Sequence, residues 1–507
     1  MSSIVFHDVA FSYDAAADGL FSSLDFGVSE GWTGVIGPNG SGKTTFLRLS
    51  CEELEPKRGR IDRPSRALYC PQRTDDPMTE LEEFLESVDG EAYRLRGKLG
   101  IEDDWLDRWD TLSHGERKRA QIGTCLWLQP DLLAVDEPTN HLDREARALI
   151  RDALRSFRGI GLLVSHDREL LDELCRHVLF IDPPHALLRS GGYSTAMAEI
   201  HVEAEGAREA RSRVHRDRKR LEREAATRRV HVQKAENKKS LRGVDPRDSD
   251  ARAKAYAARN TDGQSGKKLR QLEGRIEQAS EREASIDVRR PEDLGIGIRG
   301  ATSPRNALIR LSAGELPLGE NRTLRFPGLI VQPTDRIALI GPNGSGKSTL
   351  VRFIVDGLTL PGNRVVYIPQ EIKAEESKEI LSSVRRLPAE IRGRAMTWVS
   401  RLGSDPERLL SSALPSPGEV RKLILARHLA CEPHLIIMDE PTNHMDLPSI
   451  ECVETALCDF EGGLLLVSHD RQFLEALTEV QWVFEPTDRQ FREFVLTPRL
   501  GGKQEGD

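Results

Sequence analysis

The sequence predicts an α/β protein built as two copies of one domain joined by a long antiparallel α-helical hairpin. Three observations carry that prediction. A glycine-rich stretch occurs twice, as GPNGSGKTT from Gly37 and GPNGSGKST from Gly341, each after a short apolar strand and before a helical segment. The strings DLLAVDEPTNHLD and HLIIMDEPTNHMD also recur, with Glu137 and Glu440 separated by 303 residues where the glycine-rich stretches are 304 apart. Repeats of this length are duplicated domains, since a solenoid unit runs about 20 to 50 residues. Between the copies lies a stretch poor in Pro and large apolar side chains and dominated by charge.

A chain of 507 residues exceeds one ordinary domain of about 100 to 200 residues. No run approaches the roughly 18 apolar residues that span a bilayer, and the start, MSSIVFHDVAFSYD, lacks the basic and apolar regions of a secretory signal, so a cytoplasmic location is expected. The seven cysteines are scattered without a C-x-x-C pair, which disfavours a disulfide framework or a zinc site and marks them as small buried hydrophobes. The net charge of −8 hides an asymmetry: residues 201–290 carry 25 Lys and Arg against 16 Asp and Glu, leaving the rest of the chain strongly acidic.

The expected layout is a first α/β domain over residues 1–197, a helical linker over 198–304 and a second α/β domain over 305–507. The first linker helix runs without Pro until Pro246 and stops at RGVDP. The returning helix carries Leu269, Leu272, Ile276 and Ala279, one apolar seam for an antiparallel partner. A helix over 200–242 would be about 60 Å long. Its tip lies at about 240–266, and 211–270 alone holds 20 basic against 8 acidic residues.

The chemistry sits in the repeats. G-x-x-x-x-G-K-[ST] between a strand and a helix is a phosphate loop, in which glycines let backbone N–H groups curl around phosphates at a helix N-terminus. Gly37, Asn39, Gly40, Gly42 and Thr45 form it in the first copy, Gly341, Asn343, Gly344, Gly346 and Thr349 in the second. Lys43 and Lys347 add a point charge, and Thr44 and Ser348 offer hydroxyls to Mg²⁺. Downstream, each apolar strand ends in two acids: Asp136 and Asp439 belong at the metal, while Glu137 and Glu440 are placed to polarise an attacking water. His166 and His469 end the following strands as γ-phosphate sensors.

These residues resemble the ATP-binding cassette family closely. Phosphate loops, Q-loops at Gln72 and Gln370, signatures at Ser113, Gly115, Glu116 and at Ser416, Gly418, Glu419, the acidic strand ends, D-loops and switch histidines stand in the family's order over nearly all of 1–197 and 305–490. The resemblance implies ATP and Mg²⁺ as ligands, ATP hydrolysis as the activity, and two cassettes packed head to tail. EPTNHLD, EPTNHMD, two SHDR strings and a charged hairpin between tandem cassettes are similar to the ABC-F subfamily of ribosome-associated ATPases. That resemblance implies a monomer with an intramolecular cassette sandwich, binding at the tRNA exit site of the large ribosomal subunit, and a linker directed at rRNA, P-site tRNA and the peptidyl-transferase centre. Arg242, Arg247, Arg252, Lys254, Tyr256 and Arg259 at the tip are the candidates for RNA contact.

Three departures matter. The second signature reads PSPGE, so Pro415 and Pro417 predict an altered contact to the first ATP. Tyr13 lies where the family stacks an aromatic on adenine, whereas Leu316 and Pro317 occupy the equivalent place in the second copy. The first copy has no added arm between Gln72 and Ser113, such as the ABC-F resemblance implies for general translation factors, and by that resemblance its lack favours an antibiotic-resistance role by ribosome protection. A tandem ATPase subunit of a membrane importer would explain two sites but not the basic hairpin.

Overall fold

The computed structural model describes residues 3–13, 19–140, 142–238, 269–286, 302–319, 322–411, 415–443, 445–487 and 492–500. It divides into two compact units, Met1–Ala196 with Glu292–Asp507, and Met197–Pro291.

In the first unit each copy is built on a mostly parallel sheet of matching order. The first runs Ala67–Cys70, Leu132–Asp136, Ile160–Val164, Gly31–Ile36, Cys175–Asp182, His185–Ser190, with only the last strand antiparallel. The second repeats it as Val365–Ile368, Leu435–Asp439, Gly463–Val467, Arg336–Ile340, Val480–Pro486, Glu493–Leu500. Helices on both faces explain why LLAVD, IGLLV, LIIMD and GLLLV are buried at every position, a continuous apolar run in place of alternation. Paired registers set Asp136 opposite Val164 and Asp439 opposite Val467, so acid and histidine loops leave neighbouring strands at one edge of the sheet. In each copy the strand leading to the phosphate loop lies between the histidine strand and Cys175–Asp182 or Val480–Pro486. Loops at the carboxyl edge of such a sheet are where ligands gather.

The helix behind the first loop, Lys43–Ser50, is fixed by burial of Phe46, Leu47 and Leu49 in a core shared with Ile4, Phe6, Val164 and Leu179. Phe6 and Phe46 stack with centroids 5.1 Å apart. Fully burying such a side chain stabilises by about 1.5–3 kcal/mol, which anchors the loop's frame. The second core repeats the arrangement with Leu350, Val351 and Ile354 beneath Leu339 and Val467.

The copies differ at one edge. In the first, Ser3–Phe11, Phe21–Ser29 and Arg58–Asp62 form a separate antiparallel sheet. In the second, Pro327-Gly328 splits the corresponding strand into Thr323–Phe326 and Leu329–Val331, because proline cannot donate to a ladder and glycine packs nothing. Thr323–Phe326 then pairs parallel with Glu493–Leu500, extending the main sheet to eight strands.

The linker helix spans Tyr193–Lys238, 46 residues and about 69 Å long. It starts earlier than the sequence suggests, since Gly191 turns the chain at φ 98° and Asp172 accepts from Ser194 N at 2.8 Å. That capping group lies 22 residues away in the chain. In the second unit the returning helix, 269–285, packs Leu269, Leu272 and Ile276 against Leu221 and Ala225. His215 pairs with Glu283 at 2.9 Å, Arg218 with the same carboxylate at 3.2 Å, and Arg229 with Glu273 at 2.7 Å. Partners that rise on one helix as they fall on the other make the hairpin antiparallel, as expected. The tip candidates Arg242, Arg247, Arg252, Lys254, Tyr256 and Arg259 lie outside the described residues. Among the described residues no helix is long and apolar enough to cross a membrane.

Candidate active site

Each phosphate loop ends in a glycine at φ 94°, Gly42 or Gly346, that begins the following helix without a side-chain cap. A side chain there would strain the backbone, and a helix N-terminus left without a carboxylate or hydroxyl cap suits an anion. A Cβ on Gly37 would lie 2.3 Å from Ile181 O. Lys43 Nζ donates to Gly37 O at 2.8 Å and Pro38 O at 3.1 Å, and Lys347 to Gly341 O and Pro342 O at 2.7 and 2.8 Å. The loop therefore binds its own lysine. Burial lowers both lysine pKa values, while Glu137 opposes the shift at Lys43 and Glu440 opposes it at Lys347.

Asp136 Oδ2 accepts from Thr44 Oγ1 at 2.7 Å and from Tyr69 Oη at 3.1 Å. Burial and then Glu137 raise its carboxyl. In the second copy the Asp439 carboxyl is also raised by burial and is hydrogen bonded to Ser348, with its Oδ1 buried and lacking a hydrogen-bond partner among the described residues. A hydroxyl beside an incompletely satisfied carboxylate oxygen fits a small hard cation such as Mg²⁺. Among the described residues no group of three or more His, Cys, Asp or Glu could hold a metal, so Thr44 with Asp136, and Ser348 with Asp439, would hold Mg²⁺ together with nucleotide phosphate. The ion would neutralise phosphate charge.

Glu137 and Glu440 are buried with φ of 46° and 49°, the left-handed region that non-glycine residues occupy at a cost. His166 Nε2 lies 2.9 Å from Glu137 Oε1, and His166 N donates to Oε2 at 3.3 Å. In the second copy the same contacts measure 3.4 Å each, and His469 Nε2 also meets Asn343 Oδ1 at 3.1 Å. Burial works to raise the Glu137 carboxyl, but His166 and Lys43 outweigh it and hold it below the usual range. At Glu440 burial wins, pushing the carboxyl up to about 7, and burial with Lys347 and Arg147 pushes His469 down to about 3. The two pairs are electrostatically unequal.

Ser113 and Ser416 begin the signature helices His114–Trp127 and Pro417–Leu429 in matching capping boxes. Ser113 Oγ donates to Glu116 Oε2 at 2.7 Å and Ser416 Oγ to Glu419 Oε2 at 2.9 Å. The second signature is thus less disturbed than its prolines suggest: Pro417 takes the first helical position, where its fixed φ suits the helix and its missing N–H is no loss to the ladder. What it removes is one donor that an anion could use. Gly115 and Gly418 occupy the next position.

Tyr13 is 45% exposed beside the first loop, its hydroxyl 2.9 Å from Thr45 Oγ1 and its ring edge-on to Phe11. Without such a ring, Thr349 in the second copy is exposed where Thr45 is buried. Gln72 and Gln370 are exposed, and so are Asn39, Gly40, Asn343 and Gly344. The sequence reading missed the cation behind each Q-loop. Lys118, fully buried, donates to Pro71 O at 2.6 Å, Gln121 Oε1 at 2.9 Å and Asp136 O at 3.3 Å. Arg421, 303 residues on, donates to Gln370 O and Asn443 O. A basic residue five positions after each signature serine was the available signal.

Contacts also cross between the copies. Asp446 caps the helix Leu447–Cys458 with one oxygen, and its other oxygen accepts from Asn39 N in the opposite phosphate loop at 2.6 Å. Asp143 caps Arg144–Arg155 in the same way, and its charge, after those of Glu440 and Asp439, works against the burial that lowers the Lys347 pKa. Arg168 pairs with Glu454 at 2.9 Å, and Tyr193 Oη donates to Glu451 at 2.6 Å.

Comparison with known proteins agrees with this architecture. The family described as ABC transporter matches residues 21–140 and 327–443. The chain is 28% identical to the ribosome protection protein VmlR of Bacillus subtilis (strain 168), over 93% of this chain and 85% of that one. It is 30% identical to the ATP-binding protein Uup of Caulobacter vibrioides (strain ATCC 19089 / CIP 103742 / CB 15), over 87% of this chain and 71% of that one. The archaeal ribosome recycling factor aABCE1, solved with the archaeal stalk protein aP1, superposes with a TM-score of 0.62 at 19% identity, covering 97% and 90% of the chains, which shows a shared tandem fold. Doubled phosphate loops with matched acids and histidines, a helical hairpin between them in the chain, and 30% identity to such a relative place this chain in the ABC-F subfamily of ATP-binding cassette ATPases.

Proposed function

We propose that this ATPase binds the ribosome, using ATP-driven closure of its two cassettes to seat at the tRNA exit site of the large subunit and to act through its hairpin on P-site tRNA and the peptidyl-transferase centre. The observation that carries the reading is the charge of the linker, 25 Lys and Arg against 16 Asp and Glu over residues 201–290, inside an otherwise acidic chain. RNA is engaged mainly through phosphates, so concentrated positive charge gives binding while acidic cassettes suppress indiscriminate adhesion. Similarity to a ribosome protection protein supports a resistance role in the cytoplasm. In this reading Glu137 and Glu440 are the bases, His166 and His469 sense the γ-phosphate, and the tip from Arg242 to Arg259 meets RNA.

The test uses Glu137→Gln with Glu440→Gln in the full chain. The variant should sediment with ribosomes in ATP and stay in the supernatant in ADP; absence of ribosome binding in ATP refutes the proposal. Expression in a susceptible host, scanned across macrolides, lincosamides, streptogramins and pleuromutilins, tests resistance, and unchanged inhibitory concentrations throughout leave a general translation factor.

A further inference from the structure

The two copies lend each other unequal side chains. Arg147 lies on Arg144–Arg155, one turn after Asp143, and Nη1 donates to the backbone oxygen of His469 in the opposite copy at 3.3 Å. Its guanidinium is held from behind, Nε donating to Leu142 O at 3.1 Å and Nη1 lying 3.7 Å from Asp167 Oδ2. The equivalent position 303 residues on is Ile450, 1% exposed, which has no donor to return. The same bias appears at the SHDR arginines: Arg168 crosses to Glu454, whereas Arg471 pairs with Glu475 on its own helix.

The recipient of this extra donor is the looser of the two glutamate–histidine pairs. His166 Nε2 sits 2.9 Å from Glu137, but His469 Nε2 sits 3.4 Å from Glu440 and shares its ring with Asn343. The backbone of His469 positions Glu440 as well, because His469 N, on the other side of its Cα from the carbonyl that Arg147 meets, donates to Glu440 Oε2. A group that fixes the His469 carbonyl therefore fixes both side chains.

We propose that Arg147 is a positioning residue acting in trans for the second ATP site, completing the Glu440–His469 pair only when the cassettes are apposed. The second site then depends on a donor from the opposite cassette that the first site, facing Ile450, lacks. This goes beyond the ribosomal reading and rests on ATP hydrolysis alone, so ribosome-free assays keep the two separable.

The experiment isolates each site in the full chain: Glu137→Gln leaves the second active, Glu440→Gln the first. Into each background go Arg147→Ile, matching Ile450, and Arg147→Lys, and phosphate release is followed against ATP. In the Glu137→Gln background Arg147→Ile should lower kcat about tenfold with KM changed less than about twofold, the signature of a group acting on the chemical step. Arg147→Lys should recover much of that loss, and the Glu440→Gln background should change less than about twofold, which also shows that the variant folds. Equal loss in both backgrounds, loss confined to KM, no loss, or no recovery with lysine overturns the proposal.

Discussion

Replacing Lys118 by methionine keeps the aliphatic stem of a fully buried side chain and deletes its ammonium. Pro71 O, Gln121 Oε1 and Asp136 O then lose a donor now 2.6, 2.9 and 3.3 Å away. At about 1 kcal/mol for each orphaned acceptor, the first cassette should lose about 3 kcal/mol. For a domain of this size that lowers Tm by about 6–12 °C. Tryptophan fluorescence suits the assay, since Trp32, Trp105, Trp109 and Trp127 lie in the first cassette and only Trp398 and Trp482 in the second. Lys118→Arg should retain most of the stability, because an arginine at the equivalent position, Arg421, also donates to a Q-loop carbonyl, Gln370 O, and to one beyond the acidic strand, Asn443 O. A Lys118→Met unfolding curve within about 2 °C of the parent would refute the claim that this cation ties Q-loop, signature helix and acidic strand together.

Further outcomes follow from other contacts. Gly37→Ala places a Cβ against Ile181 O and should abolish ATP binding at the first site while nucleotide titration still detects the second. Tyr13→Ala should raise KM for ATP in the Glu440→Gln background, where only the first site turns over, and leave the Glu137→Gln background unchanged. Leu272→Ala opens the hairpin seam and should cost about 2–5 kcal/mol there, read as faster proteolysis between the two linker helices. Asp89, capping Gly90–Leu99, is held at about 2 by Ser87, Trp127 and Ala92. A depressed folded value means the stabilisation is present above the usual carboxylate pKa and lost as pH falls toward 2. The Tm gap between parent and Asp89→Asn should therefore shrink over that window.

The sequence exposed the duplication and the chemistry because these depend on short strings whose neighbours in space are neighbours in the chain. Gly37 to Thr45 forms one loop, and Asp136 with Glu137 ends one strand. The hairpin seam at Leu269, Leu272 and Ile276 was legible for the same reason, as helical periodicity is local. What escaped depends on distant partners. Nothing near Tyr193 announces that Asp172 caps its helix, and nothing near Lys118 announces that Pro71 and Asp136 converge on it. The consequences of Pro417 also required the structure, since a proline that looks disruptive in a string is well placed as the first residue of a helix. The asymmetry of the glutamate–histidine pairs lies in the histidine contact, 2.9 Å at Glu137 and 3.4 Å at Glu440, with both glutamates buried alike, and two nearly identical SHDR strings do not show it.

The capping boxes bear on how nucleotide would be felt. Ser113 and Ser416 each already spend their hydroxyl proton on a carboxylate of their own helix. A phosphate recruiting that hydroxyl has to outbid Glu116 or Glu419, so the gain is the difference between two anionic acceptors, a small quantity taken from two large ones. In the proposed closure, so small a difference is readily undone when the γ-phosphate leaves. A serine free of its own carboxylate would hold phosphate more tightly and, on the proposed reading, let it go less readily.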